Sequence, residues 1–514
     1  MSIIKSHHIV DAQALSESEK ALSILRDVRQ KNASFWSKNK VNYALKTLEN
    51  AFSGVSAYRD LLKKKNVSAA NVKTWEDFQK LPIISKDNYL KKYPLNEISS
   101  QHESRGPLVF TSTSGSTGDP VYFSRSHEID WQSSVIHQHF FSIGSFNKDK
   151  PTLVIVCFGM GVWIGGLITY QAFELFARRH NMPISLLTPG INKEEIFKAL
   201  KQLAPHYPQI ILAGYPPFLK DVLDEAPSRG INLKKHSVKL LFAAEAFTEK
   251  FRDHVCQLAG IKNPLVDTMN IYGSADIGTM AFETPVSILV RRLAMKNPKL
   301  FESLFGTISK TPTLAQYIPS FTTFEAPKGE IVLTGNSSIP LVRYSIGDHG
   351  GILTFNQIVE KCAAHGVSLL KEAKKAGIEK QLYQLPFVYV YERMDFATTI
   401  YGLQVYPETI KEVLIEKPFD KLLTGKLTLV TRFDKNQDQY IEVNLELQKN
   451  KEISAVMKNQ LTKRIIKNLR KNNSEFRELS DYLKERAYPK LVFWPAEDPL
   501  YFKSGIKQKW VKKN

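Results

Sequence analysis

The sequence predicts an α/β protein, a large multi-layer unit followed by a small α+β unit at the carboxyl end. Three observations carry this reading. From Leu108 to Tyr272, short apolar β-rich runs alternate with helical stretches, the pattern of strands laid side by side under packed helices. Beyond Gly329 that alternation gives way to closely spaced strand candidates. The chain has 514 residues, 43% of them hydrophobic, enough for a large core and more than one unit.

Taken in order, Ala12 to Leu62 reads as amphipathic helix with few breakers. The strand runs are Leu108–Thr111, Leu153–Cys157, Ile210–Ala213, Lys239–Ala243 and Met269–Tyr272. Helices are expected between them, at Lys193–Leu203, Pro217–Ala226 and Thr248–Leu258, so the strands should be largely parallel. Glu330–Thr334 and a run ending at Tyr344 form a further strand pair, and Asn356–Ala376 reads as a lysine-rich helical insertion. The units are expected to divide as 1–391 and 392–514. In the second, strands fall at Leu427–Phe433, Tyr440–Leu447 and Leu491–Trp494, with a helix at Ile453–Arg470.

Composition narrows the function classes. Cys157, Cys256 and Cys362 are far apart and lack CxxC spacing, which argues against a disulfide framework or a cysteine metal site and fits a reducing cytoplasm. Met1–Glu19 lacks the basic-then-apolar order of a secretory signal. The formal charge of +19 suits attraction of anions, nucleotides and coenzyme A included. Its lysines are spread along the chain, with no basic helix interleaved with aromatic residues, so nucleic acid is not expected as a partner. Leu153–Phe173 is uncharged and long enough to span a bilayer. Gly159, Gly161, Gly165 and Gly166 instead divide it into a strand, a loop and a helix.

Three motifs carry chemistry. In Phe110-Thr-Ser-Thr-Ser-Gly-Ser-Thr-Gly-Asp-Pro120, a strand enters a loop of hydroxyls and glycines. Backbone N–H groups in such a loop can converge on a polyphosphate, although Ser/Thr/Gly clusters are also plain turns. No Gly-Lys-Ser/Thr closes it, so it is not a Walker loop. Asn270-Ile-Tyr-Gly-Ser-Ala-Asp-Ile-Gly278 offers a ring for a purine and, at Asp276, a carboxylate for Mg²⁺ or for capping a helix. Ile339-Pro-Leu-Val-Arg-Tyr-Ser-Ile-Gly-Asp-His349 leaves a strand at a Gly-Asp turn, where Asp348 could accept ribose hydroxyls or simply turn the chain. His137 and His139 flank Gln138 and read as helix residues on different faces, without a further metal ligand. Phe158, Trp163 and Phe218 read as core residues or as walls of an aryl-sized slot.

In this order the motifs resemble the adenylate-forming superfamily of acyl- and aryl-CoA synthetases, and its phenylacetate-CoA ligase-like branch in particular. Ser114–Pro120 matches the phosphate loop. Phe158-Gly-Met-Gly-Val-Trp-Ile-Gly-Gly-Leu167, Leu241-Phe-Ala-Ala-Glu-Ala-Phe-Thr-Glu249 and Val342-Arg-Tyr-Ser-Ile-Gly-Asp348 match the following blocks. Arg393-Met-Asp-Phe396 with Gly402-Leu-Gln-Val-Tyr-Pro407 resembles the hinge, and Ser504-Gly-Ile-Lys-Gln-Lys-Trp510 the terminal lysine region. The resemblance covers roughly residue 75 to the end.

What this implies is an AMP-forming ligase. It would use ATP and Mg²⁺ to activate a small-molecule carboxylic acid, then pass the acyl group to coenzyme A as a mobile carboxy-terminal lid rotates. An amine or a carrier protein is the alternative acceptor, a catalytically silent homologue the alternative role, and a homodimer a compatible assembly. By the match, Ser114, Gly115, Ser116, Thr117 and Gly118 hold phosphates, and Ala244, Glu245, Tyr272, Gly273 and Ser274 line the nucleotide. Asp276 takes the metal, Asp348 and Arg393 the ribose, Asp395 and Gly402 the hinge region, and Lys507 the reacting carboxylate and α-phosphate. Four departures stand out. Asp119 replaces the loop lysine, leaving Arg125 to compensate, and Ala275 replaces a hydroxyl that Ser274 could supply. Asp276 replaces Glu, and the terminal lysine is offset, so that Lys503 and Lys509 compete with Lys507.

Overall fold

The computed structural model describes residues 12–100, 108–112, 122–306, 311–391, 398–502 and 511. Three helices, Ala12–Gln30, Ala33–Gly54 and Ser56–Lys64, occupy the expected amino-terminal stretch. Asn32 separates the first two, its side chain accepting from Phe35 N as an N-cap.

An 11-stranded sheet dominates the structure. One half is parallel: Thr268–Ser274, Ser237–Ala243, Gln209–Gly214, Thr152–Cys157 and Ile184–Leu187 lie side by side. Helices such as Ile164–Arg179, Lys193–Gln202 and Pro216–Glu225 make the crossovers. The other half is antiparallel, built from Gly278–Phe282, Thr313–Gln316, Phe387–Tyr391, Leu341–Leu353, Glu330–Gly335 and Thr322–Glu325. The expectation of largely parallel strands therefore holds for one half only. Parallel pairing requires a long crossover, and most strands after Ser274 lack one.

Other expectations shift in detail. Leu108–Thr111 lies outside the large sheet: Val109–Ser112 pairs with Tyr122–Arg125 as a separate antiparallel ladder. The strand beginning at Leu341 runs through Gly347-Asp348 to Leu353, so no turn forms there. Asp276 caps no helix but sits in the turn joining two antiparallel strands. The lysine-rich stretch is two helices, Phe355–Ala364 and Leu369–Lys375, split near Gly366. They bury Ile358, Cys362, Leu369 and Ala373 in one apolar cluster with Leu300 and Leu304. The uncharged segment forms the strand Thr152–Cys157 and the helix Ile164–Arg179, and no helix among the described residues is long and apolar enough to cross a membrane.

Beyond residue 398 come a two-stranded ladder, Thr398–Ile400 with Leu403–Val405, and a three-stranded sheet of Leu423–Phe433, Gln439–Leu447 and Lys490–Trp494. The helices Ala455–Asn472 and Ser474–Leu483 pack with it, the second not anticipated from the sequence. A single apolar cluster runs from Leu153, Phe218 and Phe242 of the large unit to Ile400, Leu427 and Leu461 of the small one.

Candidate active site

Parallel strands all deliver their carboxyl ends to one edge, the usual place for a ligand crevice in such sheets. Here that edge carries Phe158 and Gly159, Tyr215, Ala244 and Glu245, and the turn Ala275–Ile277. Ala244 is exposed and held at φ +75°, a conformation rarely adopted outside glycine, and Gly273 is also exposed.

Two tyrosine–carboxylate pairs organise the neighbouring surface. The Tyr272 hydroxyl donates to Asp348 Oδ2 at 2.6 Å, which brings the purine and ribose candidates into contact. The Tyr344 hydroxyl donates to Asp276 Oδ2, also at 2.6 Å. Asp276 is buried, and the turn bearing it is seated by Ile277, which covers Gly335 so closely that a Cβ there would lie 2.5 Å from Ile277 Cδ1. Lys86 Nζ stands 3.5 Å from Asp276 Oδ1. Lys86 arrives because Ile84 is stitched to the strand beside Tyr344, with Ile84 N donating to Arg343 O and Ser345 N to Ile84 O.

The hairpin formed by Val109–Ser112 and Tyr122–Arg125 is anchored by Ser112 N donating to Val162 O at 3.1 Å and by Ser124 Oγ, 2.8 Å from Ser338 Oγ. Its register closes on Ser112 opposite Tyr122, and residues 113–121 connect those two ends. Lys86 Nζ is 5.9 Å from the Phe123 ring at the foot of this hairpin. Arg125, the sequence candidate for compensating cation, is buried against Asp130 at 2.5 Å. Lys86 is the cation beside Asp276 instead. No local signal distinguished it, because its position depends on a contact between segments more than 250 residues apart.

Glu245 is buried where the two units meet. Its Oε1 accepts from Gly402 N and its Oε2 from Gln439 Nε2 at 3.0 Å, while Gln439 Oε1 accepts from Tyr401 N at 2.7 Å. Gly402 has φ +84°, and a Cβ there would strike the Tyr215 ring, so both backbone and space require glycine. Beside it, Trp163 Nε1 donates to Glu478 Oε2 at 3.4 Å, and burial together with the Glu478 charge pushes Glu475 up to about 7. Lys220 and Asp221 form a second junction: Lys220 Nζ is 2.6 Å from Asp438 Oδ1, and Arg486 Nη2 is 2.6 Å from Asp221 Oδ1.

Several motif residues prove structural. Glu249 joins Arg252, Arg291 and Glu283 in a buried ion cluster, and Arg343 pairs with Glu325 at 3.0 Å. Phe158 and Phe218 are fully buried, and Trp163 is half-buried at the junction. His137 and His139 lie buried in the helix His127–Ser142, and burial holds them down at about 4 and about 3. No group of three or more metal-ligating side chains occurs among the described residues. Ser114, Gly115, Ser116, Thr117, Gly118, Asp119, Arg393, Asp395, Lys503, Lys507 and Lys509 lie outside the described residues.

No protein-family model and no curated protein matches the chain. Solved structures do. Similarity to 2-hydroxyisobutyryl-CoA ligase in complex with 2-HIB-AMP and CoA, in the thioesterification state, has a TM-score of 0.61 at 15% identity, covering 95% of this chain and 92% of that one. The same ligase in the postadenylation state with R3-HIB-AMP gives 0.53 at 13% identity over 95% and 92%. Its open conformation with 2-HIB-AMP and CoA gives 0.52 at 14% identity over 94% and 93%. The chain therefore has the fold of adenylate-forming CoA ligases, a large α/β unit followed by a small carboxy-terminal one.

Proposed function

We propose that the protein is an AMP-forming ligase that activates a carboxylic acid, of acyl or aryl type, as its adenylate and transfers it to coenzyme A. The observation carrying this reading is the convergence of Tyr272–Asp348 and Tyr344–Asp276 beside the carboxyl ends of the parallel strands. Tyr272, Ala244, Glu245, Gly273 and Ser274 would receive the nucleotide, with Asp348 and Arg393 on the ribose. Ser114–Gly118, Thr117 included, would cradle the phosphates through backbone and hydroxyl donors, and Asp395 would serve the hinge.

A carboxylate attacking an α-phosphate brings two anions together, so the barrier is largely electrostatic. Lys507 would meet both groups, and Lys86 would supply charge that Asp119 removes from the loop. Asp276 fits a magnesium role. It is a buried carboxylate that belongs to no group of three or more ligating side chains among the described residues, and Mg²⁺ is commonly held by one or two carboxylates together with substrate phosphates. Mg²⁺ there would neutralise phosphate charge. Tyr344 fixes the Asp276 carboxylate, and Lys86 balances it.

The test is pyrophosphate exchange into ATP across a panel of carboxylic acids, followed by product analysis with and without coenzyme A. Acid-dependent exchange and an acyl-CoA product are expected. Exchange without a CoA product would reassign the acceptor to an amine or a carrier protein, and no exchange with any acid would leave a ligand-binding homologue. Lys507→Ala should abolish exchange while ATP still binds, and Gly115→Val should weaken ATP binding itself.

A further inference from the structure

The contact between the two units is unusually rich in charge for so apolar a junction. Lys220 and Asp221 sit side by side on the helix Pro216–Glu225 of the large unit, each with a side chain 1% exposed. Lys220 pairs with Asp224 of the same helix at 2.5 Å. Lys220 and Asp221 both have partners on the small unit, Asp438 just ahead of the strand Gln439–Leu447 and Arg486 in the turn Lys484–Ala487. Arg486 Nη2 lies 2.6 Å from Asp221 Oδ1 and 3.2 Å from Asp438 Oδ1, and Lys220 Nζ reaches Asp438 Oδ1 at 2.6 Å. The four side chains thus form a quadrupole of alternating sign, Lys220–Asp438–Arg486–Asp221, across the junction.

Its placement links it to the site. Asp438 is followed by Gln439, which bonds both Glu245 and the Tyr401 backbone and so fixes the loop presenting Gly402. A shift of Asp438 relative to Lys220 would move Gln439 away from Glu245. Asp221 is the charge that tolerates little separation: it is buried, so losing Arg486, which is 37% exposed, would leave it uncompensated before it regains water. The quadrupole therefore favours the arrangement seen here, and the chain as a whole matches the thioesterification-state neighbour at a TM-score of 0.61 against 0.53 for the postadenylation state of the same ligase.

We propose that Lys220, Asp221, Asp438 and Arg486 are positioning residues that hold the small unit in the acyl-transfer arrangement. Adenylate formation, which in the proposed reaction uses a different arrangement, does not depend on them. The inference rests on the proposed two-step ligase reaction for its kinetic consequence, but its structural half stands alone.

The experiment separates the two. Spin labels at Lys201→Cys and Lys467→Cys, exposed positions on opposite units, report the inter-unit distance in the full chain. Cys157, Cys256 and Cys362 are buried. The unsubstituted junction should give a narrow distribution, Arg486→Ala a broad one, and Arg486→Lys an intermediate one. In parallel, Arg486→Ala should slow acyl transfer from preformed adenylate at least tenfold while pyrophosphate exchange stays within twofold, with Arg486→Lys recovering part of the transfer rate. An unchanged distance distribution in Arg486→Ala would overturn the proposal, as would equal losses in transfer and exchange. Absence of exchange in the unsubstituted protein would instead overturn the ligase reading, leaving the distance measurement to judge the junction.

Discussion

Tyr344 and Asp276, 68 residues apart in sequence, are joined by a hydrogen bond of 2.6 Å between the tyrosine hydroxyl and carboxylate Oδ2. Both side chains are buried, and this bond leaves the other carboxylate oxygen, Oδ1, towards Lys86. Tyr344→Phe would leave Oδ2 unsatisfied and free the carboxylate to rotate, at about 1–3 kcal/mol of stability. The magnesium concentration for half-maximal pyrophosphate exchange should rise several-fold. An unchanged magnesium requirement, with the variant folded, would remove Asp276 from the metal role.

Lys86 is the second prediction. If it replaces the missing loop lysine, Lys86→Ala should raise the KM for ATP by at least tenfold, in line with loss of one charge-assisted contact worth roughly 1.5–3 kcal/mol. Lys86→Arg should retain most of the affinity. Titration of ATP binding by calorimetry checks both variants without relying on turnover.

The buried cluster of Arg252, Glu283, Glu249 and Arg291 should behave as a structural unit. Glu283 accepts from Arg252 at 2.8 and 2.7 Å, and both side chains are fully buried. Glu283→Gln weakens the partner of two buried guanidinium groups and should cost about 3–5 kcal/mol. Urea unfolding followed by circular dichroism measures the loss.

Acid sensitivity should trace to His137 and His139. Both are neutral in the fold, held at about 4 and about 3 by burial, against roughly 6.5 when unfolded. Below pH 6.5 the unfolded chain binds more protons, so stability is fully present above that value and falls as the pH drops towards 4. Two such groups contribute about 2.7 kcal/mol per pH unit to the slope, which the raised Glu475 carboxyl opposes. His139→Phe keeps a ring against Phe282 and Tyr383 and removes an Nε2 that finds no partner among the described residues. The slope should drop by about 1.4 kcal/mol per pH unit, the share of one such group, as read from urea melts at pH 7.5 and pH 5.

Much of this molecule was legible locally. Four of the five parallel strands announced themselves as short apolar runs, with Lys239–Ala243 and Met269–Tyr272 falling inside observed strands, whereas Ile184–Leu187 at the sheet edge was not read as one. The antiparallel half was not legible as such, because pairing direction depends on connections rather than on residue type. Among the site candidates, the pairing of Tyr272 with Asp348 joins two motifs that the sequence could only set in order. Lys86, Gln439 and Arg486 carry no local signature at all. Each matters through a partner 190 or more residues away in the chain for Lys86 and Gln439, or on the other unit for Arg486. Glu249 and Arg343 show the converse, motif residues whose observed partners are structural ion pairs.

The apolar cluster shared by both units has a thermal consequence. Separating them would wet apolar surface of this shared cluster, and exposing apolar surface raises heat capacity. Any opening of the small unit should therefore be strongly temperature-dependent and become easier on cooling, as the drive to hide that surface fades. A curved Arrhenius plot, confined to whichever step requires the opening, would be its kinetic trace.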